Sequence, residues 1–300
     1  KAMTTDQLKA LSTTQLNALE TEDFANLSDA QITGLTTAQV QALTTTAVKG
    51  MLTEQISKLT ATQLSNMTTS QVAVLTADQI VSFTTDQISK LTAEQMGAMT
   101  TSQIKSIATD DLQKLTAAQI QGITTDGVKA LLAEQVTAFT TAQISKLTEA
   151  NVAVLTSAQV KAIETGDLQK LTAEQLASIS TAALAGLTAD QVTALTTAQA
   201  AQLTTAQVNA LSVTQLQAIE SSDLQQLTNA QVQAISTTGL KGMTADQISQ
   251  FTTSQVAALT TAQVSVLTAD QVGNLTTAQV GKLTATQLAA FSTAQIRALE

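Results

Sequence analysis

Residues 251–282 read FTTSQVAA LTTAQVSV LTADQVGN LTTAQVGK, four consecutive octapeptides with one pattern. Each octapeptide starts with a large apolar residue and continues with Thr, then with Gln at the fifth place and Val at the sixth. This pattern, with the consensus L-T-T-A-Q-V-x-A, runs from Met3 to Leu299 without an insertion or a deletion. Position 1 is large and apolar in all 38 octads, and position 6 is apolar in all 37, where only Ala200 is small. A single eight-residue repeat therefore accounts for the chain.

A period of eight excludes the regular continuous structures. A straight α-helix advances about 100° per residue, so a residue repeated every eighth position would wind around the whole helix. Coiled coils need periods of seven or eleven. The apolar spacings of five and three are both odd, and odd steps alternate between the two faces of a strand. The octad is therefore predicted to be a short helix and a turn, restarted in every repeat.

The polar residues of the octad predict where each helix begins. Position 2 is Ser or Thr in 31 of 38 octads, and position 5 is Gln in 28 of 37. The spacing S/T-x-x-Q is that of a capping box, in which the two residues cap each other's backbone N–H, and positions 1 and 6 then form a hydrophobic staple. Leu35, Thr36, Gln39 and Val40 are one instance.

Charged residues and glycines agree with this phase. All 23 acidic residues occupy positions 2 to 5, and all 14 basic residues occupy positions 7 or 8. This distribution is the one that a helix dipole favours, with acids at the start and bases at the end. Eight of the 11 Gly also stand at positions 7 or 8, where a helix is expected to terminate, as at Gly34, Gly50 and Gly122.

A single octad cannot fold alone, because two buried aliphatic side chains do not offset the entropy lost by ordering the whole repeat. We therefore expect an all-α solenoid, an elongated superhelical rod with one very short helix per repeat. Positions 1 and 6 are expected inside, together with the Ala of position 8. The sequence predicts one continuous solenoid over residues 1–300, and since it opens on Lys1 we expect a fragment of a longer chain.

The composition excludes much chemistry. The 300 residues contain no His, Cys, Pro, Trp or Tyr and only five Phe. Without His and Cys there is no triad with a histidine base, no zinc site of the usual ligands and no disulfide. A net charge of −9 disfavours nucleic-acid binding, and no segment approaches 18 apolar residues in a row, so no membrane insertion is expected. We expect no enzyme, no catalytic residues, no cofactor and no metal site.

Departures from the consensus recur at a longer period. Octads starting at residues 19, 107, 163 and 219 carry acids in the capping positions, and the last three are evenly spaced, seven octads apart. Two octads further on, Gln is replaced by Gly127, Ala183 and Gly239, again at intervals of seven octads. A seven-octad unit is therefore superposed over residues 107–162, 163–218 and 219–274. It reflects either duplication history or a set of marked octads that align as contacts on one face.

Two other features of the octads leave alternatives open. Leu52 and Leu132 replace the capping Thr, which either thickens the core or exposes a contact point. Acids cluster at Glu20, Glu22 and Asp23, but no calcium-loop pattern accompanies them, so capping of helix amides is the simpler explanation.

Uninterrupted L-T-x-x-Q-[VI]-x-A octads resemble the octapeptide-repeat tracts of very large bacterial secreted or surface proteins, which are similar to adhesin stalks. The resemblance covers the whole chain and implies an extracellular or cell-surface structural role, without transferring any functional residue. Two hypotheses follow. The first is a self-associating filament subunit, sheath or stalk. The alternative is a solenoid that binds a protein or glycan partner.

Overall fold

The computed structural model describes residues 3–299, and Lys1, Ala2 and Glu300 of the predicted 1–300 domain lie outside these described residues. The described range contains 37 α-helices of four to six residues, one in each octad, and no β-strand. The predicted all-α repeat is confirmed. Two compact units divide at Leu147 and Thr148.

The first unit contains 18 helices. They are α1 (Thr5–Ala10), α2 (Thr13–Leu16), α3 (Thr21–Ala25), α4 (Asp29–Gly34), α5 (Thr37–Ala42), α6 (Thr45–Gly50), α7 (Thr53–Lys58), α8 (Ala61–Ser65), α9 (Thr69–Val74), α10 (Ala77–Val81), α11 (Thr85–Ser89), α12 (Ala93–Ala98), α13 (Thr101–Ser106), α14 (Thr109–Leu112), α15 (Ala117–Gly122), α16 (Thr125–Ala130), α17 (Ala133–Thr137) and α18 (Thr141–Ile144).

The second unit contains the other 19 described helices. They are α19 (Glu149–Ala153), α20 (Ser157–Ala162), α21 (Thr165–Leu168), α22 (Ala173–Ser178), α23 (Thr181–Leu184), α24 (Ala189–Thr193), α25 (Thr197–Ala201), α26 (Thr205–Ala210), α27 (Val213–Gln217), α28 (Ser221–Leu224), α29 (Asn229–Ala234), α30 (Thr237–Gly242), α31 (Ala245–Ser249), α32 (Thr253–Ala258), α33 (Thr261–Val266), α34 (Ala269–Gly273), α35 (Thr277–Val280), α36 (Ala285–Ala289) and α37 (Thr293–Arg297).

Each helix begins after a residue with extended backbone at position 2, and many helices end at the extended residue at position 1 of the next octad. In the octad of α5, Thr36 has extended backbone angles (φ −73°, ψ 156°), and its hydroxyl accepts a hydrogen bond from the N–H of Gln39. The helix ends at Leu43, where the chain leaves the helical region (φ −54°, ψ 138°). The extended pair at positions 1 and 2 forms the turn that restarts the helix. Among the 37 helices, six have no side-chain cap bond: α3, α7, α14, α17, α21 and α28.

Packing in each unit follows a solenoid, because helices contact the third helix further along the chain. In the first unit α1 packs on α4 and α12 on α15, and in the second unit α19 packs on α22 and α26 on α29. Positions 1 and 6 form the core, as predicted, except in the first and last described turns, where for example Leu288 and Ile296 are exposed. In the middle of the second unit, Val232 at position 6 is fully buried and Ile235 at position 1 nearly so.

The prediction that the alanines of position 8 belong to the core is wrong. Alanines at position 8, such as Ala42 and Ala162, are half-buried and not part of the core. The predicted placement of glycines at helix ends is confirmed at Gly34, Gly50 and Gly122, but these glycines do not adopt a left-handed conformation, since no described residue has a positive φ. Instead, a Cβ on Gly122 would collide with the backbone of Ala93 in the preceding turn, so glycine there permits close approach of two helices. The continuity of the solenoid across residues 147 and 148, and the rod shape, stay predictions.

Two glycines of the second unit test this close approach. A Cβ on Gly186 would collide with the backbone of Ser157, whereas a Cβ on Gly166 would meet no atom within 4 Å. Gly186→Ala should therefore lower the free energy of unfolding by about 1–3 kcal/mol. Gly166→Ala, the matched control in α21, should leave stability unchanged or raise it by up to about 1 kcal/mol. Urea denaturation of both variants measures the difference, and equal effects would contradict the packing described.

Candidate functional site

The residues at position 5 form a buried polar column in each unit. Every Gln at this position from Gln31 to Gln295 is buried, for example Gln39 at 3% exposure and Gln263 at 2%. Only Gln7 and Gln15, which have no described turn before them, are exposed. A buried amide is costly unless its oxygen and nitrogen both find hydrogen-bond partners. The partners of these side chains therefore decide how the repeat is held together.

The amide oxygen caps the helix to which the Gln belongs. In α33, the Oε1 atom of Gln263 accepts a hydrogen bond of 3.0 Å from the N–H of Thr260, and the Thr260 hydroxyl accepts one of 3.1 Å from the N–H of Gln263. Gln39 and Thr36 form the same pair in the first unit, at 2.9 and 3.1 Å. The predicted capping box is confirmed.

The amide nitrogen of the same side chain reaches the previous turn of the solenoid. Nε2 of Gln263 donates to the carbonyl oxygens of Val232 and Ile235, each at 2.9 Å. These carbonyls lie at the end of α29, four helices before α33. In the first unit Nε2 of Gln39 donates in the same way to Leu8 and Leu11, at 3.0 and 2.9 Å. We call this contact the glutamine bridge.

Each bridge satisfies two helix ends at once. The last carbonyls of a short helix have few partners in that helix, and the bridge supplies an additional N–H donor to one that accepts the C-cap bond and to that of the C-cap residue itself. In the described residues no buried side-chain nitrogen or oxygen lacks a hydrogen bond. The step from Ile235 to Gln263 is three and a half octads, so the solenoid within each unit turns once in about that length. Sequence reasoning predicted the cap and missed the bridge.

One signal in the sequence could have indicated the bridge. Capping boxes accept Glu as readily as Gln at this place. Position 5 nevertheless contains 28 Gln and no Glu. A carboxylate has the acceptor that the cap needs but no hydrogen to donate to a carbonyl. The exclusion of Glu from an otherwise acidic chain therefore indicates a donor.

Some octads lack this amide at position 5, and we call them the unbridged octads. They carry Asp, Ala or Gly in place of Gln, at Asp23, Ala47, Asp111, Gly127, Asp167, Ala183, Asp223 and Gly239.

The prediction that acids replace the capping box is only partly right. The N–H of Glu20 donates to Asp23 at 2.9 Å, but the side chains of Glu20, Glu164 and Glu220 make no cap bond. The helices of the octads starting at 107, 163 and 219 have only four residues.

Leu52 and Leu132 face outwards. Their side chains are 49% and 41% exposed, so they do not thicken the core. The backbone N–H of each still donates to a position-5 amide, Gln55 or Gln135, at 2.9 Å. Half of the capping box therefore persists without a hydroxyl.

Carboxylates in the described residues are dispersed. No group of three or more acids there could hold a metal ion, and Glu20, Glu22 and Asp23 do not form one. The pKa of Glu94 lies below its usual value because its carboxylate accepts hydrogen bonds from its own backbone N–H and from the Thr92 hydroxyl. Glu174 has a lowered pKa for the same reasons, with Thr172 as the partner. Both side chains are exposed, and the shifts reflect capping of a helix start.

The surface has shallow hollows. One of about 540 Å³ lies beside Lys161 and Gly186, and another of about 560 Å³ lies beside Gln217 and Ser221; both open to solvent. Within residues 3–299 no helix has the length and apolar character that crossing a bilayer requires. The predictions that the chain has no catalytic, cofactor-binding or metal-binding residues stay predictions.

The sequence model of the ALTTAQ repeat matches residues 1–29, 17–53, 104–141, 160–197, 216–253 and 250–277, which together make up more than half of the chain. The chain belongs to the ALTTAQ repeat family. Residues 258–263 spell that motif, and they contain Thr260 and Gln263 of the bridge described above. Three of the ALTTAQ matches start at residues 104, 160 and 216, at equal intervals that agree with the seven-octad period. No curated protein matches the chain.

Replacing the ALTTAQ glutamine by glutamate separates the cap from the bridge. Gln263→Glu keeps the length and the acceptor of the side chain but removes the donor, so the carbonyls of Val232 and Ile235 lose the hydrogen bond from the side chain. We expect a loss of roughly 2–4 kcal/mol in the free energy of unfolding at pH 7. The control Thr260→Ala, which removes only a cap hydroxyl, should cost about 1 kcal/mol.

The free energy of unfolding of the Gln263→Glu variant should approach that of the parent protein at acidic pH. Burial among carbonyl oxygens raises the pKa of the introduced carboxyl above that of an unfolded glutamate. The penalty is therefore full well above this raised pKa, and it falls as the pH drops through that value and the group becomes neutral. Urea denaturation of both variants from pH 7 to pH 4 measures this. A Gln263→Glu variant as stable as the parent protein at pH 7 would show that the cap alone matters.

Proposed function

We propose that this ALTTAQ repeat chain is a structural protein of the cell exterior, without enzymatic activity, that serves as a filament subunit, a sheath or an adhesin stalk. The observation that carries this proposal is the glutamine bridge, which recurs in both units at one spacing. Because each turn is joined to the next by many equivalent hydrogen bonds, tension on the chain is shared among them. A spacer or a fibre needs this property.

The distribution of side chains also supports a structural role. The Gln side chains of the repeat are buried and are already engaged in backbone hydrogen bonds, as for Gln39 and Gln263. The outward surface is built largely from Thr, Ala and single charges, and the hollows on it are shallow and open. The resemblance to bacterial surface tracts is the reason for placing the protein outside the cell. The proposal requires no cofactor, metal, nucleic acid or membrane insertion.

Self-association is part of the proposal, since repeated identical surfaces can pack on each other without a closed symmetry. In the first unit, Leu52 and Val81 are 49% and 65% exposed and offer apolar contacts. Contact through these residues, or through the Thr and Ala surface, would pack copies of the chain side by side.

Electron microscopy over a range of concentrations, with X-ray scattering of the dilute protein, tests the proposal. We expect slender particles that assemble into ordered filaments as the concentration rises. The matched variant Leu52→Lys with Val81→Lys should raise the concentration at which filaments appear if these residues form the contact. Slender particles that stay single would support a stalk and remove self-association. A radius of gyration near the roughly 19 Å of a compact globule of this length would contradict a structural rod.

A further inference from the structure

The unbridged octads are not scattered at random. From residue 107 onwards they occur in pairs separated by one bridged octad, at Asp111 and Gly127, Asp167 and Ala183, and Asp223 and Gly239. The pairs recur at every seventh helix. Each pair occurs once in seven octads, so two of every seven possible bridges are missing. Seven octads make two turns of the solenoid, and the two unbridged octads of a pair are separated by a single octad.

The second unit shows what is lost at the pair of α28 and α30. Gln263 donates to the carbonyls 31 and 28 residues before it. A Gln in place of Asp223 would, at the same spacing, donate to the carbonyls of Val192 and Leu195. Asp223 is only 2% exposed, but a carboxylate donates nothing, and its hydrogen bond is one accepted from Ser222 at 3.4 Å. Among the described residues, no side chain donates to those two carbonyls.

The octad of Gly239 is the second unbridged octad of this pair. Gly239 has no side chain, and the corresponding carbonyls of Val208 and Leu211 receive no side-chain donor from the described part of the chain. The space beside Gly239 is partly taken by Leu216, whose Cδ1 atom approaches the place of a Cβ. The side chain of Leu216 therefore fills part of the space beside Gly239. This apolar packing replaces part of the lost contact, but no side-chain hydrogen bond replaces the bridge.

The helix between the two unbridged octads, α29, has a glutamine bridge to the previous turn. In α29, Nε2 of Gln231 donates to the carbonyls of Ala201 and Leu203, at 3.0 and 2.6 Å. The pair of α26 and α29 is also among the most extensively packed helix pairs, as are α19 with α22 and α12 with α15, each seven helices apart. Each pair of unbridged octads therefore lies on either side of one helix that is joined to the previous turn by a glutamine bridge.

We propose that the unbridged octads are built-in yield points, at which two neighbouring turns of the solenoid separate before the rest of the unit unfolds. The octads of α28 and α30 open while α29 holds the turns together, and α14 and α16 behave in the same way around α15 in the first unit. A chain built in this way lengthens in steps, one yield point at a time. That the chain lengthens in steps under tension rests on the proposed structural role. That the unbridged octads open before their neighbours does not depend on that role.

Hydrogen–deuterium exchange of the complete chain, read by mass spectrometry, tests this proposal. Peptides covering α28 and α30 should exchange about tenfold faster than peptides covering α29, α32 and α33, as expected for the loss of about 1.4 kcal/mol of bridging hydrogen bonds. The same contrast is expected between α14 or α16 and α15. Exchange at one rate in all these helices would overturn the proposal.

Two substitutions of one residue provide a matched comparison. Asp223→Gln restores an amide long enough to reach Val192 and Leu195, and it should slow exchange of α28 to the rate of the bridged octads. Asp223→Asn removes the charge equally but is one carbon shorter, so α28 should stay fast. If both variants slowed exchange equally, the charge and not the missing bridge would be the cause, and the proposal would be wrong.

A reverse substitution keeps the test valid if Asp223→Gln fails to fold. Gln207→Ala removes a bridge whose Nε2 donates to Leu176 and Ile179, at 3.1 and 2.8 Å. It should create a new fast segment at α26 and at the end of α22. An unchanged exchange pattern would overturn the proposal. Exchange needs no assembly, so a chain that formed no filaments could still show yield points, and a uniform chain could still form filaments.

Discussion

The fold depends on one constraint, that a helix of four to six residues has almost no internal hydrogen bonds of its own. With so few residues, nearly every N–H and C=O group belongs to a helix end and needs a partner elsewhere. The buried glutamine meets this need twice. Its oxygen serves the start of its own helix, and its nitrogen serves the end of a helix one turn earlier, as Gln263 does for Thr260 and Ile235. Helices this short persist because local capping and packing between turns depend on one side chain.

The sequence predicts the local part of this arrangement well, for a physical reason. Caps, staples and charge placement act within one octad, so Thr36 and Gln39 can be read from their spacing alone. The bridge joins one turn to the next, and its register depends on how many octads make a turn, which no single octad encodes. The burial of position 8 cannot be predicted from one octad for the same reason. Whether Ala42 is buried depends on the neighbouring turn, and in the structure Ala42 is half-buried whereas Gln39 is buried.

The seven-octad period acquires a structural meaning from the same interaction. With about three and a half octads in a turn, seven octads are the smallest whole number that completes whole turns, so equivalent residues such as Asp167 and Asp223 return to equivalent surroundings. Duplication of a seven-octad unit would explain the period and the recurring residues, and these residues also have a structural consequence. Each replacement at Gly127, Ala183 and Gly239 removes the donor while keeping Val or Leu at position 6, so the core is preserved and the bridge is lost. The repeat thus varies its connections between turns and keeps its apolar interior constant.

The most direct test of this account is the exchange of the glutamine side-chain amide protons with solvent, followed by NMR on protein labelled with ¹⁵N at glutamine. The chain contains its own control, because Gln41 and Gln121 at position 7 are exposed and Gln39 and Gln263 at position 5 are buried. The account predicts two populations, with the buried position-5 amides exchanging at least about tenfold more slowly than the amides of Gln41 and Gln121. A single fast population would show that the amides do not bridge the turns, and the central claim would be wrong.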